Sequence, residues 1–299
     1  VTVSEFASAK INLALHVTGQ RDDGYHLLDS LVVFADAGDR LQFSPADEDS
    51  LTLSGLFGSS LPVDAAPKGG NLVLRARDAL RAVAIARGKA APAVHIHLEK
   101  NLPVASGIGG GSADAAAALR GLNRLWDLGL DTATLCAIGL PLGADVPMCV
   151  ESRPLVARGI GEDLRLLTDF PLLHLLLVNP LAEVSTPVIF RNLASKTNPP
   201  LALPEEGAAF ADWIALLAAA RNDLQPPACA IEPKITDVLA KLSATDPFLT
   251  RMSGSGATCF GLYRTAAECL RAARQLEAEH PEWYIQPAAT GTETDDGTN

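Results

Sequence analysis

The sequence lacks several features that would assign it to other classes. No stretch approaches the roughly 18 apolar residues of a membrane-spanning helix. The apolar segment at 172–178 is short and sits between Pro171 and Pro180, which suits a buried strand. Basic residues are scarce: 24 Lys and Arg against 35 Asp and Glu leave a net charge of −11. That speaks against a nucleic-acid or anionic-membrane partner, either of which calls for a basic face. The five cysteines form no CxxC pair and are odd in number, so neither a disulfide framework nor a zinc site is expected. The first residues lack the basic, apolar, small-residue order of a signal peptide. These features together predict a cytoplasmic location. There is no fixed-period repeat.

What is present is an ordinary globular composition, 48% hydrophobic and 20% charged over 299 residues. Alternating apolar residues predict strands at 6–17, 28–35, 40–43, 51–56, 94–98, 172–178 and 259–263. Helical spacing marks 71–87, 112–128, 134–140, 210–220, 235–242 and 266–280, with the alanine-rich 112–128 the clearest. The Pro-rich polar segment at 197–206 reads as a surface connection. Strands mostly precede helices instead of alternating with them, which predicts an α+β chain in two lobes. The expected division is 1–165 and 166–290, with a polar tail over 291–299 that is too acidic to fold.

The most informative segment runs from Leu102 and Pro103 into Gly107, Gly109, Gly110 and Gly111, then directly into a helix at Ser112. Glycines let a backbone turn tightly and approach a ligand without Cβ interference. A helix start adds unpaired N–H groups and the positive end of the helix dipole, which together suit phosphate. Four glycines in five positions favour a phosphate site over a plain capping turn. No Gly-Lys-Ser/Thr follows, so this is not a Walker A loop. No acidic residue ends a second strand about 20 residues later, so it is not a dinucleotide fingerprint either.

Pro103-x-x-x-Gly107-Ile-Gly-Gly-Gly-Ser112-x-Asp114-Ala-Ala resembles the second motif of the GHMP kinases. Ala9-Lys10-Ile11-Asn12-Leu13 resembles the first motif, and Ser253-Gly254-Ser255-Gly256-Ala257-Thr258-Cys259-Phe260 the third. Further segments, among them Gly24-Tyr25-His26, Gly143-Ala144-Asp145-Val146-Pro147, Ser185-Thr186-Pro187 and Asn222-Asp223-Leu224, narrow the match. They resemble the branch that phosphorylates a cytidine diphosphate sugar alcohol in non-mevalonate isoprenoid synthesis. Another GHMP kinase of sugar, homoserine or mevalonate type is the alternative. The resemblance, over roughly 5–285, implies a two-lobed GHMP kinase fold with the active site in the inter-lobe cleft. It implies ATP with Mg²⁺ as cofactor, a small-molecule substrate, and a monomer or homodimer; the metal ligands stay unassigned.

Residue roles follow from that resemblance. Asp145, bracketed by a turn, is the expected base for the attacking hydroxyl. Lys10 is the only Lys or Arg within 1–20. It would keep Asp145 ionised and offset phosphoryl charge, the alternative being an edge-strand lysine reaching water. Asn12, on the same strand face, would touch substrate. Tyr25 and His26 would bind the cytosine by stacking and by hydrogen bonds, with Phe190 closing the ring's other side and Thr186 nearby. Asn71 and Lys100 would line the adenosine pocket beside Pro103 and the glycines. Ser112 serves either phosphate or Mg²⁺, or acts as a helix N-cap. The 254–256 turn either packs against the site or is a simple hairpin. Two positions depart from the family pattern: Ser106 replaces Ala or Gly, and Ala113 replaces a second serine, removing a hydroxyl from the neighbourhood of the phosphates. His95 and His97, two apart, lack a third ligand and read as a solvated strand face.

Overall fold

The computed structural model describes residues 1–64, 66 and 70–291. Beyond Gly291, the expected tail lies outside the described residues. The chain forms two compact units that interleave in sequence: one takes 1–9, 38–104 and 109–152, the other 10–37, 105–108 and 153 onward.

The first unit receives one end each of strands β1 (Val3–Gln20) and β2 (His26–Pro45). The two short strands expected at 28–35 and 40–43 are one, continuous through Gly38, where any Cβ would run into the Ala7 carbonyl. After β3 (Ser50–Ser54) and helix α1 (Leu72–Ala86), strand β4 (Val94–Glu99) pairs antiparallel with β2, Arg40 opposite Glu99, and parallel with β3. Helix α2 (Gly110–Leu125) buries Ala115, Ala116, Ala117, Ala118, Leu119 and Leu122 and packs on α1. It stops three residues earlier than its alanine pattern predicts. Asp127 and Gly129 take positive φ (48° and 65°), which ends the helical ladder. Helix α3 (Thr132–Gly139) is capped by Asp131, whose carboxylate accepts from Thr134 N at 2.8 Å, and α4 (Val146–Glu151) follows.

In the second unit β2 pairs antiparallel with β5 (Leu155–Gly159), which pairs with β6 (Asp163–Leu166). Strand β7 (His174–Asn179) leads through α5 (Thr186–Arg191), α6 (Phe210–Ala219), α7 (Gln225–Ile231) and α8 (Lys234–Ser243). A hairpin of β8 (Leu249–Met252) and β9 (Cys259–Tyr263), then α9 (Ala266–Glu279) and β10 (Tyr284–Ala289), complete an antiparallel sheet in the order β10-β7-β9-β8. Leu176, Val178, Ile235, Val238, Met252, Cys259, Ala273 and Leu276 form its core. Arg251 is buried and donates to the carbonyls of Leu13 (2.7 Å), Leu217 (2.9 Å) and Ala220 (2.7 Å), tying β8 to β1 and to the end of α6.

The connection at 197–206 carries no helix or strand, as its composition predicts, yet it is fastened to the unit. Leu201 is buried and its N–H donates to Asp29 Oδ2 at 3.1 Å. His16 Nδ1 donates to the Pro199 carbonyl at 2.9 Å, while Nε2 accepts from Arg221 N–H at 3.1 Å. That pair of bonds requires a neutral ring, and burial holds the His16 pKa below its ordinary 6.5. The folded state therefore binds fewer protons here than the unfolded state. The stabilisation is fully present above 6.5 and is lost as pH falls below it. His16→Gln is expected to flatten the acid-side fall of the urea midpoint below pH 6.5. A slope equal to that of the parent chain would contradict the assignment.

Candidate active site

The glycine turn is built as its spacing predicts, with one shift. The N-cap of α2 is Gly109, in the left-handed region at φ 66°, and the helix begins at Gly110. No side chain caps it, so the leading N–H groups keep their capacity for an anion. Ser112 is thus the third helical residue and not the N-cap, and it is half-buried. Ala113 is buried, so a serine there would place its hydroxyl in the interior; the departure removes nothing from the surface of the turn. Pro103 is buried directly ahead of the turn.

Within the second unit, stretches of the first, second and third motifs hydrogen-bond to one another. Lys10 N–H donates to the Ile108 carbonyl (2.9 Å) and Thr258 N–H to the Ser106 carbonyl (3.1 Å). Ser253 is shared: its Oγ accepts from Asn12 N–H (3.1 Å) and donates to the Gly107 carbonyl (3.1 Å). Gly107 has φ 77°, and a Cβ there would lie 2.6 Å from the Ser253 carbonyl oxygen and 2.7 Å from that of Gly256. Asn222 holds the turn from the other side, donating to the carbonyls of Met252 (2.7 Å) and Gly254 (2.8 Å). The 254–256 turn is therefore the tip of the β8–β9 hairpin and also a buttress for the 106–108 backbone.

Lys10 is buried on β1, which rules out an edge-strand lysine reaching water. The alternation along β1 does not separate inside from outside, because both faces are covered from Ala7 to Leu15. Asn12 donates through Nδ2 to Ser30 Oγ at 2.8 Å. Its Oδ1 is buried with no partner among the described residues, an acceptor suited to a substrate hydroxyl. Asp145, in the first unit, is the N-cap residue of α4 but its side chain makes no capping bond. An Asx cap thus does not account for this aspartate.

The residues assigned to the acceptor gather in the second unit. Tyr25 is 61% exposed at the tip of the β1–β2 hairpin, where its N–H donates to Asp23 Oδ1 (3.2 Å). His26 stacks on Phe190 of α5, with centroids 4.8 Å apart and planes at 26°. Those two rings therefore stand against each other, and Tyr25 is the ring with an open face. His26 Nε2 is buried with no partner among the described residues, and burial, followed by Lys196, lowers the pKa of the ring. A neutral imidazole can donate to or accept from a base edge. Thr186 begins α5 and its hydroxyl meets Ser255 Oγ at 2.7 Å.

Asn71 caps α1: its Oδ1 accepts from Val73 N (3.0 Å) and its Nδ2 donates to the Pro62 carbonyl (3.0 Å). Lys100 is only 1% exposed, its ammonium bonded to Asp39 (2.5 Å) and Asp114 (2.6 Å). His95 and His97 bond to Ser50, Thr52 and Ser54 across β3–β4, a hydroxyl ladder in place of bare solvent. Among the described residues no group of three or more His, Cys, Asp or Glu could hold a metal ion. The sequence motifs give no role to Ser253, Asp39 or Asp114. Ser253 opens the third motif and Asp114 lies in the second, so both were available as signals; Asp39 gave none, because its partner Lys100 lies 61 residues away.

Comparison with known proteins bears on this arrangement. The GHMP kinases N terminal domain matches residues 71–153, and the GHMP kinases C terminal domain matches 206–282. A 4-diphosphocytidyl-2-C-methyl-D-erythritol kinase of Rhizobium etli is 57% identical, over 96% of this chain and 95% of its own. The chain belongs to this kinase family. The Agrobacterium fabrum member is 55% identical over 96% of this chain and 95% of its own. The crystal structure of a 4-(cytidine 5'-diphospho)-2C-methyl-D-erythritol kinase superposes with a TM-score of 0.78 at 30% identity, covering 97% of this chain and 99% of that one. Homoserine kinase from Cytophaga hutchinsonii, at 18% identity and a TM-score of 0.69 over 97% of this chain and 95% of that one, shares the fold alone. The fold is the α+β fold of the GHMP kinases, and the family is one of ATP-dependent small-molecule kinases.

Proposed function

We propose that this chain transfers the γ-phosphate of ATP to the 2-hydroxyl of 4-diphosphocytidyl-2-C-methyl-D-erythritol, a step of the non-mevalonate route to isoprenoids. The observation that carries the reading is the hydrogen-bonded meeting of Lys10 and Asn12 with 106–108 and with Ser253 and Thr258. It joins the strand that supplies a buried cation to the turn that leads into the phosphate-binding helix start. The acceptor is supported by Tyr25, His26 and Phe190, two aromatic rings and an imidazole suited to a pyrimidine base.

In this reading the first turn of α2, with Gly109, Gly110, Gly111 and Ser112, receives the phosphates through backbone N–H groups. Asp145 accepts the proton of the attacking hydroxyl, and Lys10 offsets charge on the phosphoryl group as it moves. Asn12 Oδ1 orients the acceptor. Tyr25 stacks on the cytosine, His26 bonds its edge, Phe190 backs His26, and Thr186 fixes the start of α5. Asn71 shapes the nucleotide side by capping α1. Mg²⁺ arrives on the phosphates of ATP, since the described residues carry no ready-made carboxylate cage and this ion is commonly held by substrate phosphates. The chain acts in the cytoplasm on a free small molecule, as a monomer or homodimer.

A turnover assay with ATP against the cytidine acceptor, galactose, homoserine and mevalonate tests the proposal. ATP is expected to be consumed with the cytidine acceptor and not with the others. Phosphorylation of homoserine with no reaction of the cytidine acceptor would overturn it.

A further inference from the structure

Among the described residues of the first unit Lys100 is the most deeply buried cation, and the proposed transfer assigns it no direct part. Its backbone is occupied: the N–H donates to the Ser54 carbonyl (2.8 Å) and the carbonyl accepts from Phe57 N–H (2.9 Å). A residue 1% exposed has almost no surface to offer a nucleotide. Its ammonium lies where an added Cβ on Gly110 would come within 3.0 Å of it, beneath the first residue of α2.

The partners of this ammonium sit at the two ends of the phosphate turn. Asp39 Oδ2 accepts from Lys100, while Oδ1 accepts from the backbone N–H groups of Asn101 (2.6 Å) and Leu102 (2.8 Å), the residues entering the turn. Asp114, in the second helical turn of α2, belongs to the segment leaving it. Entry and exit are thus fastened to one ammonium from within the first unit. We propose that Lys100 is a positioning residue: with Asp39 and Asp114 it clamps both ends of the phosphate turn, and it sets the affinity for the triphosphate without touching the nucleotide.

The charge arrangement fits this role. One cation and two carboxylates would leave a net negative charge under a turn that must attract phosphate. Asp114 Oδ1 has no partner among the described residues, and burial, partly opposed by Lys100, pushes the Asp114 pKa up to about 8. Burial thus favours a proton within the cluster, which reduces the negative charge beneath the helix N-terminus. Lys100 stays charged: burial pulls its pKa down, but the two carboxylates outweigh that and raise it.

The inference rests on the kinase reading, and one set of kinetics separates the two. The unmodified chain, Lys100→Met and Asp114→Val are compared for KM of ATP, KM of the cytidine acceptor, and inhibition constants of inorganic tripolyphosphate and of adenosine against ATP. No ATP turnover by the unmodified chain would count against the kinase reading itself. Given such turnover, a misplaced turn is expected to raise the ATP KM and the tripolyphosphate constant by the same factor, about tenfold or more, in Lys100→Met. The adenosine constant and the acceptor KM are expected to stay within about twofold. Asp114→Val removes one buried carboxylate without adding bulk, and is expected to move the same two constants in the same direction if Lys100→Met folds poorly. A rise in the adenosine constant with tripolyphosphate unchanged would overturn the clamp and place Lys100 at the base. No change in any constant in Asp114→Val would overturn it as well.

Discussion

Asp145→Asn is expected to lower kcat by about 10²–10⁴-fold while leaving the KM for ATP near that of the parent chain. The substitution keeps size and shape, and it costs no helix cap, because the Asp145 side chain makes no capping bond to α4. What it removes is a proton acceptor. Phosphoryl transfer passes through a loose transition state in which the proton leaves late, so the loss falls on turnover and not on nucleotide binding. Steady-state kinetics with ATP varied at saturating acceptor read the two constants apart. A near-normal kcat would remove Asp145 from the chemistry.

Gly107→Ala is expected to be the most damaging small change in the turn, destabilising the chain by roughly 2–4 kcal/mol and raising the KM for ATP. Two costs coincide at this residue. Its φ of 77° is strained for any L side chain, and its Cβ would meet backbone atoms at 2.6 Å (Ser253 O), 2.7 Å (Gly256 O) and 2.8 Å (Gly256 N). Backbone cannot swing aside as a flexible side chain can, so relieving the contact means parting the 106–108 segment from the β8–β9 turn. Gly111→Ala makes the contrast: φ is helical there and the nearest atom to its Cβ is Leu72 Cδ1 at 3.4 Å, so the fold is expected to hold. Urea unfolding of the pair checks this. Equal midpoints would show that the meeting of the motifs does not depend on Gly107.

The elements with a strong local signature were legible in the sequence. The strand at 259–263 and the helices at 210–220 and 266–280 lie within a residue of their expected bounds, because caps and periodicity act within a few residues. Strand β2 was read as two because Gly38 resembles a break; its role is a close approach to Ala7, a contact about 30 residues distant in sequence. The short helices α4, α5 and α7 gave no periodic signal, and each has proline in its first turn, which reads as a loop in sequence. Among the residues proposed for the site, Lys10, Asn12 and the glycines were legible from their motifs. The duties of Ser253 and Asn222 were not, since each bonds across more than 25 residues of chain to a backbone carbonyl. Tyr25, His26 and Phe190 were singled out together. Their arrangement was not, for nothing in the sequence indicates that His26 stacks on Phe190.

The central claim is that this chain phosphorylates one hydroxyl of a cytidine-linked acceptor at the expense of ATP. Phosphorus NMR of the product, with ADP measured in parallel, tests it most directly. One new phosphomonoester is expected on the 2-hydroxyl of the erythritol moiety for each ADP formed, with the diphosphate bridge to cytidine intact. ADP released without that phosphomonoester, or an acceptor that remains unmodified while homoserine or mevalonate is phosphorylated, would contradict it.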